Sequence, residues 1–204
     1  MTNSLRRTCV QRSAAVLCAL ALSTAIAPSA WAAEPPQVAL KTSLGEIVLE
    51  LDPDKAPVTV ANFLQYVKSG FYKGTVFHRV IDGFMIQGGG YDARLVGKHT
   101  GKPIRNESNN GLKNVAYSIA MARTQDHDSA TSQFFINVAD HPELDYPGRD
   151  GSGYAVFGKV VKGQDVVDKI KGVVVDDLSG QQNVPVVPIV IQSATIVKAA
   201  KSVK

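Results

Sequence analysis

The sequence contains very little cysteine. Cys9 and Cys18 are the only two cysteines in 204 residues, and both lie near the amino terminus. Beyond Cys18, a disulfide framework, a thiol nucleophile and a cysteine-based metal site are therefore all excluded. The four histidines stand singly, at positions 78, 99, 127 and 141, which is not the clustered spacing of a metal site. We expect no bound metal and no cofactor.

The short motifs of common hydrolases and nucleotide-binding proteins are also missing. No Gly-x-Ser-x-Gly, His-Glu-x-x-His or Gly-x4-Gly-Lys-Ser/Thr pattern occurs in the chain. The glycine run 88–90 lacks the spacing of a dinucleotide-binding loop, so we expect a turn or a close approach of two chain segments there. A hydrolase is a poor match because no nucleophile–base pair can be recognised.

An excess of positive charge is confined to the first residues. The whole chain has 22 basic and 18 acidic residues, but three arginines and no acid lie within residues 1–32. The remainder has 19 basic against 18 acidic residues, a net charge of +1. Such a balance lacks the basic surplus typical of nucleic-acid binding. We therefore expect no nucleic-acid partner.

The first 32 residues have the order of a secretory signal peptide. Arg6, Arg7 and Arg12 form a basic start, and residues 14–26 form an uncharged apolar run. That run is too short to cross a bilayer, and the small residues of Ala30-Trp31-Ala32 follow it. We predict general secretion to the periplasm, although the Arg6-Arg7 pair also permits a twin-arginine signal.

Cleavage is predicted after Ala32, with Ala33 as the second choice, and an uncleaved membrane anchor is the alternative. Residues 33–204 would then form a single domain with a substantial core. No second apolar run in that part is long enough to span a bilayer. We therefore expect a monomer without stable membrane association after cleavage.

The hydrophobic pattern beyond residue 36 is mainly that of β-strands. Segments 38–42 and 46–51 predict a hairpin, and an amphipathic helix is predicted up to Gly70 with Thr59 as its N-cap. A second helix is predicted over 164–170. Further strands are predicted at 75–81, 84–87, 117–121, 134–138, 154–160 and 189–197. Many short strands with two helices predict a closed, or nearly closed, antiparallel β-barrel with helices covering its ends.

Three long irregular stretches, 88–114, 124–132 and 139–153, separate these strands. Loops of such length are usually functional or disordered. Within the strand predicted at 75–81, the alternation of side chains places Arg79 on the same side as Phe77 and Ile81. Either the arginine pairs with a carboxylate or extends its head to water, or it is a cationic donor set in an apolar pocket. The alternation alone leaves both interpretations open.

Three segments together resemble the cyclophilin family. They are FHRVIDGFMIQGGG at 77–90, IAMART at 119–124 and SQFFINVAD at 132–140, in the family's order. The resemblance continues through YAVFGKVVKGQDVVDKI at 154–170 and covers essentially all of residues 33–204. It is nearest to the periplasmic bacterial members. It implies a closed eight-stranded antiparallel barrel capped by two α-helices.

The resemblance also implies the site residues. Arg79 matches the family's catalytic arginine and Gln87 its polar neighbour. The matching substrate-binding residues are Phe84, Met85, Ala122, Arg123, Gln133, Phe135, Leu144 and Tyr154. Phe84 and Phe135 could equally be plain core aromatics by pattern alone.

Three positions depart from many eukaryotic members of the family. Those members have asparagine at the position of Arg123, histidine at Tyr154 and tryptophan at Glu143. The first two changes resemble bacterial members, and the third makes the pocket rim acidic. We expect these changes to affect peptide preference and cyclosporin binding rather than activity.

The implied activity is peptidyl-prolyl cis-trans isomerisation of unfolded or flexible polypeptides that contain proline. The alternative is a non-enzymatic peptide-binding or chaperone module that uses the same groove. The intact Arg79 favours the enzyme, because binding of proline alone needs only the apolar pocket.

Overall fold

The computed structural model describes residues 34–197, so the predicted signal peptide and its cleavage site lie outside the described residues. Within 34–197, no helix is long and apolar enough to cross a membrane. The helices are α1 (Pro57–Lys68) and α2 (Gln164–Lys171). The strands are β1 (Gln37–Thr42), β2 (Gly45–Leu51), β3 (Thr75–Ile81), β4 (Met85–Asp92), β5 (Ser118–Met121), β6 (Phe134–Asn137), β7 (Val156–Lys162), β8 (Val175–Leu178), β9 (Gln181–Pro185) and β10 (Ile191–Val197).

Eight of the strands form one antiparallel sheet in the order β10-β1-β2-β7-β5-β6-β4-β3. The sheet curls so that its two end strands approach each other. β3 and the segment leading into β10 meet through one bridge, between Val76 and Val190, and through two hydrogen bonds beside it. The Phe77 N–H donates to the Ile189 carbonyl at 3.0 Å, and the Gly74 N–H donates to the Ile191 carbonyl at 2.9 Å. No continuous ladder joins β3 to β10 in the described residues. The eight strands and two helices are confirmed, whereas the closure of the barrel is not: the sheet is an open, curled half-barrel.

The inside of this curl holds the main hydrophobic core. Phe63 of α1 lies at its centre, with its ring centroid 5.2 Å from Tyr72, 5.7 Å from Phe134 and 5.2 Å from Phe157. The predicted second helix is also confirmed, because α2 buries Val166, Val167 and Ile170 in the same core. Both helices therefore pack on the apolar interior of the sheet.

The predicted N-cap of the first helix is wrong. Ala56 is the N-cap of α1, and Thr59 is a fully buried residue of the first turn. The free backbone N–H groups at the amino-terminal end of α1 are hydrogen-bonded instead by the carboxylate of Glu107. It accepts the N–H of Val58 at 3.1 Å and that of Thr59 at 2.8 Å. Negative charge at a helix N-terminus is favourable, so a residue 48 positions away performs the capping.

The sequence patterns also missed two strand features. Strand β4 was expected to end at 87, but it continues through the glycine run to Asp92. The β8–β9 hairpin was not predicted at all, because its residues are mostly polar and exposed. Its turn has positive φ at Ser179 (52°) and Gly180 (77°), as in a type I′ turn, but without the Asn-Gly pair that usually signals one.

Candidate active site

A second, smaller apolar cluster provides the floor of a pocket. It is built from Met85, Ala120, Phe135 and Val156, which belong to neighbouring strands β4 to β7 of the sheet. Side chains alternate between the two faces of a strand, so these residues are separate from the core around Phe63. The same strands thus carry the stabilising core on one face and the pocket on the other.

The pocket has a volume of about 140 Å³. Nine of the residues predicted from the sequence line it, namely Arg79, Phe84, Met85, Gln87, Ala122, Arg123, Phe135, Leu144 and Tyr154. The other two predicted residues, Gln133 and Glu143, lie just outside the lining. Segments that are distant in sequence therefore converge on one concavity.

Arg79 of β3 faces Gln87 of β4 directly across the antiparallel ladder, so both side chains lie on the pocket side. Within residues 34–197, the Arg79 guanidinium takes part in no ion pair and no hydrogen bond. The first interpretation of this arginine was a carboxylate partner or a head extended to water. No carboxylate partner is found, and the residue is half-buried. Its N–H donors are left available beside the apolar floor.

Gln87 is held by Gln133 rather than by Arg79. The Nε2 of Gln87 donates to Oε1 of Gln133 at 3.0 Å. Gly90 leaves room for this arrangement, because a Cβ there would lie 2.5 Å from Cγ of Gln133. The close approach predicted for the glycine run is therefore confirmed at this position.

The opposite wall is aromatic. The rings of Phe135 and Tyr154 meet edge to face, with centroids 5.6 Å apart and planes at 80°. The guanidinium of Arg123 lies 4.4 Å from the centroid of the Tyr154 ring. Tyr154 is therefore fixed between an aromatic edge and a cation, both of which are favourable contacts for its ring.

Arg123 is turned into the protein, and only 3% of its side chain is exposed. Its Nε and Nη2 donate to the Gly153 carbonyl at 3.1 and 2.9 Å, and Nη1 donates to the Thr124 carbonyl at 3.0 Å. Nη2 also pairs with the Asp150 carboxylate. The hydrogen bond from Arg123 holds the pKa of Asp150 well below its usual range. Arg123 thus ties the loop before Tyr154 to the end of β5.

Comparison with known proteins identifies the family of this chain. The family model of the cyclophilin type peptidyl-prolyl cis-trans isomerase/CLD matches residues 37–196. The chain belongs to the cyclophilin family. It is 57% identical over 185 residues to peptidyl-prolyl cis-trans isomerase A of Dickeya dadantii, covering 91% of this chain and 96% of that protein. It is 53% identical over 161 residues to peptidyl-prolyl cis-trans isomerase B of Escherichia coli, covering 78% and 98%.

Solved structures show the same fold. A cyclophilin type isomerase of Cryptosporidium parvum aligns with a TM-score of 0.68 and 26% identity, covering 81% of this chain and 99% of that one. A second structure of that protein, in the presence of the dipeptide Ala-Pro, aligns with a TM-score of 0.66 and 27% identity, covering 79% and 99%. This cyclophilin is therefore an enzyme, a peptidyl-prolyl cis-trans isomerase.

Size alone would not have located the pocket of this cyclophilin. A larger concavity of about 710 Å³ lies between α1 and residues 101–104. Its lining is mostly apolar, and Lys102 is its only charged member. Within residues 34–197, no group of three or more His, Cys, Asp or Glu side chains could hold a metal ion.

Sequence reasoning missed His141, which lies beneath the pocket of this cyclophilin. Its ring is 4.8 Å from that of Phe84, at 84°, and its Nε2 lies 3.0 Å from the Phe84 carbonyl oxygen. Its Nδ1 lies 3.2 Å from Oε1 of Glu143 on the rim. The only sequence signal was an isolated histidine next to the rim residue, with no pattern to mark it.

His78 lies on the other face of β3 from Arg79, away from the pocket. It is 4% exposed, its ring is 4.7 Å from that of Tyr91, and its Nδ1 has no hydrogen-bond partner among the described residues. Burial, with a smaller contribution from the charge of Arg79, lowers the pKa of His78 to about 4. The histidine is therefore held neutral.

Proposed function

We propose that this cyclophilin accelerates rotation about X-Pro bonds in secreted proteins, without a covalent intermediate, by means of Arg79. The observation that carries the proposal is an arginine without ion-pair or hydrogen-bond partners in residues 34–197, placed in a pocket with an apolar floor. Burial near apolar groups usually brings a charged side chain a partner. A substrate group at that position would supply one.

The chemistry follows from the nature of the barrier. An X-Pro amide prefers trans only slightly, yet it rotates slowly because resonance imposes a barrier of about 18–20 kcal/mol. When the bond is twisted, the proline nitrogen regains its lone pair and becomes a hydrogen-bond acceptor. A guanidinium beside that nitrogen then donates a bond that is much weaker to the planar amide. The interaction therefore stabilises the transition state more than the ground state.

The remaining lining residues would seat the substrate. Phe84, Met85, Phe135, Leu144 and Tyr154 offer an apolar recess of about 140 Å³, which suits the ring of a proline. A related cyclophilin has been solved in the presence of the dipeptide Ala-Pro. We infer that proline-containing segments of a substrate occupy the recess of this chain.

An extended substrate would lie along residues 122–123. Neither the backbone N–H nor the carbonyl of Arg123 is hydrogen-bonded within residues 34–197. Unpaired backbone groups beside a pocket can pair with a peptide in the manner of an added strand. The Ala122 N–H is already bonded to the Gln133 carbonyl at 3.0 Å, which fixes the position of this segment.

We further propose that the enzyme works in the periplasm, where it would assist the folding of exported polypeptides. The support is the signal-like order of residues 1–32, whose basic start, apolar run and Ala30-Trp31-Ala32 segment were described above. Amino-terminal sequencing of the protein from cell fractions tests this. A soluble periplasmic form beginning at or next to Ala33 is expected, and a membrane-bound form retaining Met1 would refute the export proposal.

The catalytic proposal is tested by isomerisation of a proline peptide with purified enzyme and with Arg79→Ala. Loss of one charged donor to a transition state typically lowers a rate about 10²–10³-fold, or about 3–4 kcal/mol. The variant should still bind the peptide, because the apolar recess is intact. Turnover within a few-fold of the unmodified enzyme would show that Arg79 does not act as proposed.

A further inference from the structure

The irregular chain between β4 and β5 contains a segment, residues 106–110, that lies beside the pocket wall formed by Tyr154. Three alternate side chains of this segment donate hydrogen bonds to backbone carbonyls on either side of Tyr154. They are Asn106 to Gly153 at 3.2 Å, Ser108 to Ser152, and Asn110 to Val156 at 2.9 Å.

The same segment is also bonded to α1. The carboxylate of Glu107 accepts the N–H groups of Val58 and Thr59 at the start of that helix. Thr59 is fully buried, and α1 supplies Phe63 at the centre of the main core. Residues 106–110 therefore connect the pocket wall to the main core.

Gly153 is the point at which this connection reaches the recess. Its φ is 64°, a left-handed conformation that favours glycine, and a Cβ there would lie 2.8 Å from the Leu144 carbonyl oxygen. The next residue, Tyr154, donates its N–H to the same Leu144 carbonyl at 2.9 Å. Leu144 and Tyr154 both line the recess. A shift of Gly153 would therefore move two lining residues together.

The Gly153 carbonyl has donors from two parts of the chain. Arg123 approaches it with Nε at 3.1 Å and Nη2 at 2.9 Å, and Asn106 approaches it with Nδ2 at 3.2 Å. The orientation of the Asn106 amide is fixed, because its Oδ1 accepts the Ser108 N–H at 3.0 Å. The backbone N–H of Asn106 in turn donates to Oδ1 of Asp128 at 2.7 Å. Asn106 is thus held on both its side chain and its backbone.

We propose that Asn106 is a positioning residue for the proline recess: by holding the Gly153 carbonyl, it keeps Tyr154 and Leu144 at the spacing that seats the proline ring. The inference rests on the proposed seating of the ring by these two residues. Arg79 lies on the other wall of the pocket. Asn106 therefore acts on the binding of the substrate and not on the rate of the bound complex.

Steady-state kinetics of proline-peptide isomerisation by Asn106→Asp test the proposal. The carboxylate has the shape of the amide and keeps an acceptor for the Ser108 N–H, but it presents an acceptor to the Gly153 carbonyl in place of a donor. We expect the KM to rise about three- to tenfold, the size of one hydrogen bond, with little change in kcat. The matched control is Asn109→Asp, which introduces the same charge at an exposed asparagine of the segment and should keep both constants. An unchanged KM in Asn106→Asp, or an equal rise in Asn109→Asp, would overturn the proposal.

A double-variant cycle tests whether Asn106 and Arg123 act on the same atom. In Asn106→Ala the Gly153 carbonyl keeps its Arg123 donors, and in Arg123→Met it keeps the Asn106 donor, whereas the double variant has none of them. Side chains that share one partner are not additive. The KM of the double variant should therefore rise by more than the product of the two single rises. A rise that equals the product or falls below it would show that Asn106 does not act through Gly153.

Amide hydrogen exchange in the free enzyme separates this proposal from the catalytic one. The Tyr154 N–H, which is bonded to the Leu144 carbonyl, should exchange faster in Asn106→Asp than in Asn109→Asp, while the amides of β1 keep their protection. Equal exchange at Tyr154 in the two variants would refute the positioning role whatever the activity. Loss of protection in β1 as well would also refute it, because the change would then be a general loss of stability. Conversely, an active Arg79→Ala enzyme would refute the catalytic proposal and leave the difference at Tyr154 unaffected.

Discussion

The two arginines of the pocket differ completely in their surroundings. Arg79, on the β3–β4 wall, has no ion-pair or hydrogen-bond partner within residues 34–197. Arg123, on the opposite wall, is 3% exposed and is bonded to Gly153, Thr124 and Asp150. The same side chain thus appears once with its donors available and once with its donors used by the protein.

The difference shows how one pocket separates chemistry from shape. A guanidinium that already satisfies its donors has little left for a substrate, whereas an unbonded one can act on charge that develops during the reaction. Arg123 instead holds Tyr154 at 4.4 Å and so fixes the wall against which a ring would rest. We therefore expect changes at Arg79 to appear mainly in rate, and changes at Arg123 in stability and binding.

The largest expected effect is the loss of activity in Arg79→Lys, which is compared with Arg123→Lys. Arg79→Lys should lose most of the activity, about 10²-fold or more, because a point charge cannot reproduce the fixed fork of a guanidinium. Arg123→Lys should lose only a few-fold, since it keeps the charge near Asp150. Rates with saturating peptide and urea midpoints would be measured for both. Equal losses of rate in the two variants would contradict the division of roles.

The second prediction concerns the back of the β3 wall, where His78 is held neutral. Its folded pKa is about 4 and its unfolded value is about 6.5, so below pH 6.5 the unfolded chain binds the proton more tightly. This contribution to stability is complete above pH 6.5 and is lost as pH falls towards 4. The loss is at most about 3 kcal/mol, since one pKa unit is worth 1.36 kcal/mol.

Urea unfolding at pH 7 and pH 4.5 checks this prediction. His78→Phe should unfold with a smaller difference between the two pH values than the unmodified enzyme. The control is His99→Gln, because His99 is exposed and its replacement should leave the difference intact. The same pH dependence in His78→Phe and in the unmodified enzyme would show that other groups cause it.

A third, smaller effect is expected from Arg123→Met. The change removes both Arg123 donors from the Gly153 carbonyl, which keeps only the side-chain amide of Asn106, and it removes the cation from the Tyr154 ring. Loss of such buried hydrogen bonds should lower the free energy of unfolding by about 2 kcal/mol. The KM should rise while the kcat is largely kept, because Arg79 is unchanged. Arg149→Met, at an exposed arginine of the same loop, is the control.

Local pattern predicted one wall of the pocket much better than the other. Strand alternation placed Arg79 on the side of Ile81, which packs on the pocket cluster, and the resemblance supplied Gln87, with which the ladder pairs Arg79 directly. The expectation that Phe77 shares this side is wrong, because Phe77 lies in the main core, beyond a register shift between Phe77 and Arg79. Local pattern also predicted the eight main strands and α2, whose signals lie within a few residues of each other.

Features that depend on distant partners were not predictable in this way. Glu107 caps α1 from 48 residues away, and Arg123 reaches Gly153 across 30 residues that include strand β6. No period of 2 or 3.6 residues encodes such contacts. His141 was missed for the same reason, because its partner Phe84 is 57 positions away. The resemblance to the family supplied the positions of Arg123 and Tyr154, but not the bonds between them.

The smallest expected effect on turnover lies at the rim between the two walls, where a change should instead alter cyclosporin binding. Glu143 does not line the recess, although its neighbour Leu144 does, and 34% of its side chain is exposed. Family members with tryptophan at this position offer the drug a flat apolar surface and an indole N–H. An ionised carboxylate offers only acceptors and must be partly desolvated against an apolar ligand, so it removes a contact and adds a penalty.

Together these two effects should weaken cyclosporin binding roughly ten- to a thousandfold, or about 1.4–4 kcal/mol. Glu143→Trp should recover part of this, about tenfold, because it restores the donor and the apolar surface. Turnover of a proline peptide should change less, since Arg79 and the recess remain as they are. Titration of activity with the drug, for the unmodified enzyme and for Glu143→Trp under the same conditions, measures both affinities. Inhibition of the unmodified enzyme at nanomolar drug would mean that the rim carboxylate opposes binding far less than its charge implies.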